Sequence, residues 1–435
     1  MSLSPTSQKM IERFEAMKAD LPGADLPWLA ALREKSAAAF REKGLPTQRD
    51  EEWKYTGLGA LEKLELNEAP QPAQVQPDQL PAAISDGSRL AFVDGRFDAS
   101  LSQIEQAAGV TVSTVGEMLA SDPTSLEKLL AGIDDGLPML ALNGALQEDG
   151  YVITLDAGAV ADTPIEVLYM DTGNAAKVCQ PRNIISAADN ARVRLIESHV
   201  GLAAASQVFF NGVTLVAADS GSRIEHVRLQ SQSAGAVHVN TIRANVAKDA
   251  AYQSFVLASG GDVARDEIQV SLDASGAAAK LHGIYLGGRK QVIDNTTVIT
   301  HRAPYTASEE MYRGALDADS RGVFQGNILV EQGADGTDGQ MSNKTLLLSN
   351  KAEIDSKPQL EIYADDVKCA HGSTAGELDE DALFYLRSRG VPENAARAML
   401  VEGFLAEVVE DFGADDLNEM LIGRVSDWLT VNGQG

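Results

Sequence analysis

ADNARVRLIE (188–197), ADSGSRIEHVRL (218–229), AKDAAYQSFVLA (247–258), ASGAAAKLHGIYL (274–286), ADSRGVFQGNILV (318–330) and SNKAEIDSKPQLEI (349–362) align with one another. Each begins with a polar turn of Asp, Asn or Ser, passes through small residues and continues with alternating apolar positions. Their starts lie about 27–31 residues apart, with one longer step near Ala303. A period in this range marks an array in which each unit buries its face against its neighbours. Two architectures fit, a β-helix with a few short strands per coil and a β-sandwich of hairpins. A sandwich favours two-residue Asn-Gly or Asp-Gly turns between alternating strands. Asn211-Gly212 and Asp94-Gly95 are candidates, but the repeat units carry other turns, so the β-helix is preferred. The apolar period is not six, which sets aside the hexapeptide type.

The flanks have a different character. Met10, Ile11, Phe14 and Met17 recur at helical spacing up to Leu21-Pro22-Gly23. Asp25 is read as the cap of a second helix over 26–44, with Gly44 as its stop. Prolines 70, 72, 77 and 81 make residues 64–87 a linker or extended crossing. RLAFVDGRF (89–97) reads as strand and turn, and 114–130 as one or two short helices. After Gly376 the helical period returns in DEDALFYLRSRG (379–390), in PENAARAMLVEGFLAEVVEDFG (392–413) and in 415–429. Ala396, Met399, Leu400, Phe404 and Val408 form the predicted stripe of the middle helix, for packing or for docking another chain. The expected division is a helical region with linker (1–88), a mixed α/β segment (89–149), a β-helix core (150–375) and a helical domain (376–435).

The 435 residues include 63 acidic and 36 basic side chains, a net charge of −27. Such a surface repels nucleic-acid phosphates and anionic lipid, so neither is an expected partner. The apolar runs, such as VLYM (167–170), are far shorter than the roughly 20 residues of a spanning helix. The first residues do not resemble a signal peptide, and a cytoplasmic location is expected. Cys179 and Cys369 are the only cysteines, too few for a disulfide framework or for the four thiolates of an all-cysteine cluster site. Any cluster chemistry here borrows ligands from another chain.

Nucleotide-binding and hydrolase motifs of the GxxxxGK[ST], HExxH, GxSxG and GxGxxG kinds are absent. GADGTDGQ (333–340) is like one copy of a calcium-binding glycine–aspartate repeat, but one copy completes no oxygen shell, and a mobile acidic loop is expected. EIYADDVKCAHG (361–372) carries the remaining chemistry. In an extended strand Cys369 and His371 share a face, their α-carbons about 6.5 Å apart, with Asp365 on the same side. A thiolate and an imidazole so placed can converge on one soft metal. Spacing alone also fits a buried cysteine and a hydrogen-bonded histidine. His199, His226, His238, His282 and His301 are scattered through the repeats. Stacked coils bring some such residues together, without the sequence saying which.

The stretch from Asn343 to Val391, with KPQLEIYADDVKC-x-HG (357–372) and FYLRSRG (384–390), resembles the SufB/SufD family of iron–sulfur cluster assembly scaffolds, in its SufD branch. YRGALDADSRGVFQGNILVEQGADGTDGQMSNK (312–344) and DEEWKYTGL (50–58) fit the same family. The resemblance implies a right-handed parallel β-helix flanked by helical regions and a scaffold without catalysis of its own. It implies pairing with the homologous SufB through the β-helix ends, and docking of the ATPase SufC on the C-terminal helices. His371 is then the ligand this chain offers to a transient iron–sulfur cluster shared with its partner, with Cys369 less certain. The docking residues implied are Phe384, Tyr385, Leu386, Arg387, Ser388, Arg389 and Gly390, with Phe404. Reduced flavin accompanies the family's complex, but this chain has no flavin motif, and no cofactor is expected in the isolated chain. A homodimer is expected when it is alone, since a surface that pairs with a homologue often pairs with itself. The alternative from another class is a carbohydrate-active β-helix enzyme, which calls for clustered carboxylates, exposed aromatics and an export signal.

Overall fold

The computed structural model describes residues 3–64, 74–131, 136–173 and 176–432. Part of the proline-rich segment predicted as a linker, residues 65–73, lies outside them. The chain winds between two sheets that face each other. The early strands are short: β1 (Arg89–Val93), β2 (Arg96–Phe97), β3 (Val110–Thr114), β4 (Tyr151–Leu155), β5 (Ile165–Asp171), β6 (Lys177–Cys179) and β7 (Arg182–Ala187). Longer strands then alternate between the sheets. The first sheet takes β8 (Arg192–Gly201), β10 (Arg223–Ser231), β12 (Ala251–Ala258), β14 (Ala278–Gly287), β16 (Ala307–Leu316), β18 (Thr337–Leu347) and β20 (Val367–Gly376). The second takes β9 (Val208–Ala218), β11 (Val237–Val246), β13 (Val263–Leu272), β15 (Val292–His301), β17 (Arg321–Val330) and β19 (Glu353–Ile362). Consecutive members of one sheet pair in parallel, as in Arg223 with Ala251 and Ala251 with Ala278. This is a parallel β-helix, not a sandwich of hairpins.

The turns that open the first four aligned units, and the matching turns before β16 and β18, have a physical origin. Asn190, Gly221, Asp249, Gly276, Tyr305 and Gly336 all adopt left-handed φ, between 56° and 78°. They stack one per coil, so that Gly276 N–H donates to the Tyr305 carbonyl and Tyr305 N–H to that of Asp335. Glycine alternates with a larger residue because the larger side chain lies over the glycine of the next coil. A Cβ on Gly221 would stand 2.4 Å from Asn190 Oδ1, and one on Gly276 2.1 Å from Asp249 Oδ1. The longer step near Ala303 is a change of sheet. The first four aligned units lead into β8, β10, β12 and β14, and the last two into β17 and β19 of the opposite sheet.

Helices cover both outer faces. α1 (Pro5–Met17), α2 (Pro27–Lys43) and α5 (Pro138–Leu146) pack Met10, Phe14, Phe40 and Leu142 against Phe209 and Val239 of the second sheet. Leu26, not Asp25, is the N-cap of α2: Pro27, already set in helical φ and lacking an N–H, starts the helix. α3 (Val115–Ser121) and α4 (Pro123–Leu129) are short. The first sheet is covered by α6 (Glu380–Ser388), α7 (Glu393–Phe412) and α8 (Asn418–Asn432), with Leu405, Val408 and Phe412 on Val227, Phe255 and Ile284. The apolar stripe of α7 is Ala396, Val401, Leu405, Val408, Val409 and Phe412, while Met399 is exposed. The packed stripe differs from the predicted one although both recur at three- and four-residue steps, because the underlying sheet selects which of the surplus apolar residues pack.

The segment DEEWKYT straps the N-terminal region across several coils. The Trp53 ring lies 4.1 Å from the Arg265 guanidinium, which is buried and paired with Asp294 on β15. Thr56 also donates to Asp294, Gln325 donates to the Glu52 carbonyl at 3.0 Å, and Lys357 on β19 pairs with Glu51.

Candidate functional site

The two ends of the β-helix are finished differently. At the N-terminal end the sheets close with short antiparallel strands, β2 beside β1 and β3 beside β4. At the other end they stop on β19 and β20, ten residues each, with no further strand beyond either among the described residues. Two long parallel edges therefore present free backbone donors and acceptors, the arrangement natural sheets otherwise blunt or cover. Ile362 and Tyr363 are exposed beside them.

The stretch 361–372 is not one strand. β19 ends at Ile362, residues 363–366 turn, and β20 begins at Val367. Asp365 thus sits in the turn and does not share the face of Cys369 and His371. Those two do share one. Cys369 pairs in register with Gly339 and His371 with Met341, whose side chain lies in the core between the sheets. Cys369 is half-buried and packs on that core, and desolvation pushes its thiol pKa up. A Cβ on Gly339 would stand 3.4 Å from Cys369 Sγ, an ordinary contact distance, which places the thiol directly beside that position. His371 is exposed. Further along the same face, Ser373 hydrogen-bonds Ser356 of β19 at 2.7 Å, which ties the two terminal strands together. Among the described residues no third metal-ligating side chain joins Cys369 and His371. One thiol and one imidazole are half of a four-coordinate shell.

The other histidines are brought together in ways the sequence did not disclose. His199, His226 and Tyr151 converge on Glu197, wholly buried between the sheets, at 2.7, 3.3 and 2.8 Å. Burial opposes the charge of Glu197, but the hydrogen bonds from His199 and His226 outweigh it and hold its carboxyl well below the usual range. Burial pushes the pKa of His226 down against the pull of Glu197, and that of His238 well down. His301 is held by Thr306 and Ser308 at 2.8 and 2.9 Å. No motif encodes the Glu197 cluster, and the coil register itself sets Glu197 beside Arg228 and His199 beside Gln230, so no signal in the sequence could have found it. Cys179 is buried in the core, where desolvation drives its thiol pKa far up. The acidic stretch 333–340, expected as a mobile loop, is a tight turn that becomes β18 at Thr337.

On the C-terminal helices, α6 buries only Leu383 and leaves Phe384 and Tyr385 exposed at 72% and 56%. Arg387, Ser388, Arg389 and Gly390 are exposed and Leu386 is half-buried. Phe404 is half-buried, its ring facing the Arg313 guanidinium at 5.9 Å. No helix among the described residues is long and apolar enough to cross a membrane.

Residues 169–404 match the family described as SUF system FeS cluster assembly, SufBD core domain, and residues 4–167 match the SufBD protein N-terminal region. The chain belongs to the SufBD family. The iron–sulfur cluster assembly protein SufD of Escherichia coli is 30% identical to this SufBD protein over 390 residues, covering 89% of this chain and 90% of that one. An iron–sulfur cluster assembly SufBD family protein of Synechocystis is 28% identical, covering 95% of each chain. The chloroplastic protein ABCI7 of Arabidopsis thaliana is 24% identical, covering 98% of this chain and 91% of its own. The SufBD core match spans all the coils from β8 to β20 and includes Cys369, His371 and the exposed face of α6.

Proposed function

We propose that this SufBD protein is a non-catalytic scaffold of the cytosol that pairs with SufB, docks the ATPase SufC and supplies half of a cluster site. The observation that carries the reading is the bare last coil. Two ten-residue edges stand unpaired beside a thiol and an imidazole that by themselves complete no metal shell. A homologous β-helix end fits such edges by adding strands, as β-augmentation does elsewhere. His371, being exposed on β20, is the ligand offered to a transient iron–sulfur cluster, which is the substrate of assembly and not a resident group. Cys369 lies two positions away on the same face as a second, more buried donor. The isolated chain pairs with itself through the same edges.

The exposed Phe384–Tyr385 pair on α6, with Arg387, Arg389 and the half-buried Phe404 of α7, is the docking surface for SufC. Aromatic and arginine side chains of this kind dominate the energetics of interfaces. Two free cysteines and no disulfide suit a reducing compartment. Reduced flavin is assigned no site on this chain. A carbohydrate-active β-helix enzyme is not favoured by any feature of the site.

The test is anaerobic co-expression with SufB and SufC, comparing the wild type with His371→Ala for assembly, ATP hydrolysis and cluster absorbance. The expected result is a complex that assembles and hydrolyses ATP but has lost its cluster. A variant that keeps its full cluster makes His371 structural, and a wild type that joins neither partner overturns the pairing itself.

A further inference from the structure

His282 on β14, Glu309 on β16 and Asp411 on α7 bring one ligand atom each to within 4.8 Å of one another, the one such group of three among the described residues. His282 is fully buried, and neither ring nitrogen has a partner in hydrogen-bond geometry, although the Val408 carbonyl faces the ring. Its Nε2 lies 3.7 Å from Asp411 Oδ2. Two ligands of a tetrahedral ion with bonds of about 2.0–2.2 Å stand roughly 3.3–3.6 Å apart, so this separation is close to that of a coordinating pair.

The surroundings call for a cation. Asp411 is the penultimate residue of the 20-residue α7, where the helix dipole disfavours a carboxylate and favours positive charge. Glu309 faces Asp411, and desolvation together with that neighbour raises its pKa. The side chain that now answers the need is Lys280, whose Nζ is 3.1 Å from Asp411 Oδ2 and 3.8 Å from Glu309 Oε2. One ammonium leaves the pair of carboxylates with excess negative charge and gives nothing to the buried imidazole. Both needs are met by a doubly charged ion that accepts nitrogen and oxygen donors together.

We propose that His282, Glu309 and Asp411 form a binding site for a divalent first-row transition-metal ion, which displaces the Lys280 ammonium when it binds. One imidazole with two carboxylates suits zinc, iron(II), cobalt(II) or manganese(II) better than calcium or magnesium, which prefer all-oxygen shells. The ligands come from two neighbouring coils and from α7, so the ion fastens the C-terminal helices to the β-helix. The site is separate from Cys369 and His371 and independent of the scaffold reading.

The probe is Co²⁺ added to the full chain in a Cys369→Ser, His371→Ala background, which silences the other pair of donors. One equivalent is expected to bind with visible d–d absorption and to raise the melting temperature, because ligand binding to the folded state stabilises it. Asp411→Asn, at a position exposed enough to be tolerated, is expected to weaken binding by about tenfold or more, or about 1.4 kcal/mol. His282→Gln does the same if it folds. Lys280→Met is expected to tighten binding by a similar factor, since the competing ammonium is gone. Failure of Co²⁺ to bind overturns the proposal. So does binding that Asp411→Asn leaves unchanged, or binding that Lys280→Met leaves unchanged or weakens.

Discussion

Cys369 and His371 stand two residues apart on one face of the terminal strand, the thiol half-buried against the core and the imidazole exposed. Among the described residues their strand has a neighbour on one side only. The exposed member is therefore the one a partner reaches first, and the buried member is shielded by its own packing.

That shielding sets an order of thiol reactivity. Cys369, half-buried with its pKa raised by desolvation, is expected to alkylate slowly in the native chain, and Cys179, wholly buried, not at all. Mass spectrometry after iodoacetamide should show one modified cysteine in the native protein and two in urea. Comparable native rates at the two positions would contradict the packing described.

Glu310 gives the core a pH dependence of definite sign. It is buried on β16, where desolvation pushes its pKa up to about 8, and Oε1 has no hydrogen-bond partner. Its folded pKa lies above the unfolded value near 4.5. Its contribution to stability is therefore complete below about pH 4.5 and is lost as the pH rises through about 8. The loss is about 1.4 kcal/mol per pH unit across that window. Glu310→Gln keeps the shape without the proton. Denaturant melts should show the variant gaining on the wild type from pH 5 to 8, and parallel curves would remove Glu310 as the cause.

The strap depends on a buried ion pair. Arg265 and Asp294 are both inaccessible, with Trp53 against the guanidinium and Thr56 on the carboxylate. Asp294→Asn should cost about 3 kcal/mol, because the buried Arg265 guanidinium is left with Glu267, at 3.2 Å, as its one charged partner. Limited proteolysis should then cut between residues 45 and 64 faster than in the wild type. Unchanged cleavage with lowered stability would mean that the pair supports the β-helix alone.

The α6 face proposed to dock SufC separates stability from binding. Phe384→Ala and Tyr385→Ala remove exposed side chains and should leave the melting curve within about 0.5 kcal/mol of the wild type while abolishing SufC capture. Leu405→Ala opens a cavity under α7 and should cost about 2–5 kcal/mol. Loss of stability in the α6 variants would place those rings in a contact that holds the fold.

The β-helix and its helical flanks were legible because turn chemistry is local. A left-handed position must be Gly, Asn, Asp or a residue held there by its neighbours, and it recurs once per coil. Cys369 and His371 were legible as a pair because strand alternation places i and i+2 on one face wherever the strand runs. Asp365 failed that logic, since a turn intervenes and alternation does not cross it. The α7 stripe was misread by part of a turn, because apolar residues outnumber the positions that pack and only the underlying sheet selects among them.

Other relationships belong to the tertiary structure. The sheet change near Ala303 depends on which sheet each unit enters, and equal-looking repeats do not say. Glu197 gathers His199, His226 and Tyr151 from different coils, and His282 meets Asp411 across 129 positions of chain. The sequence by itself determined the period, the turn residues, the charge and the poverty in cysteine, since each is a property of composition or of a few adjacent residues. Only the folded chain decided which edges stay bare, which side chains meet and which charges lack an answer. Those depend on coil register and on where the C-terminal helices fall back on the sheet, and both are set by packing over long chain separations.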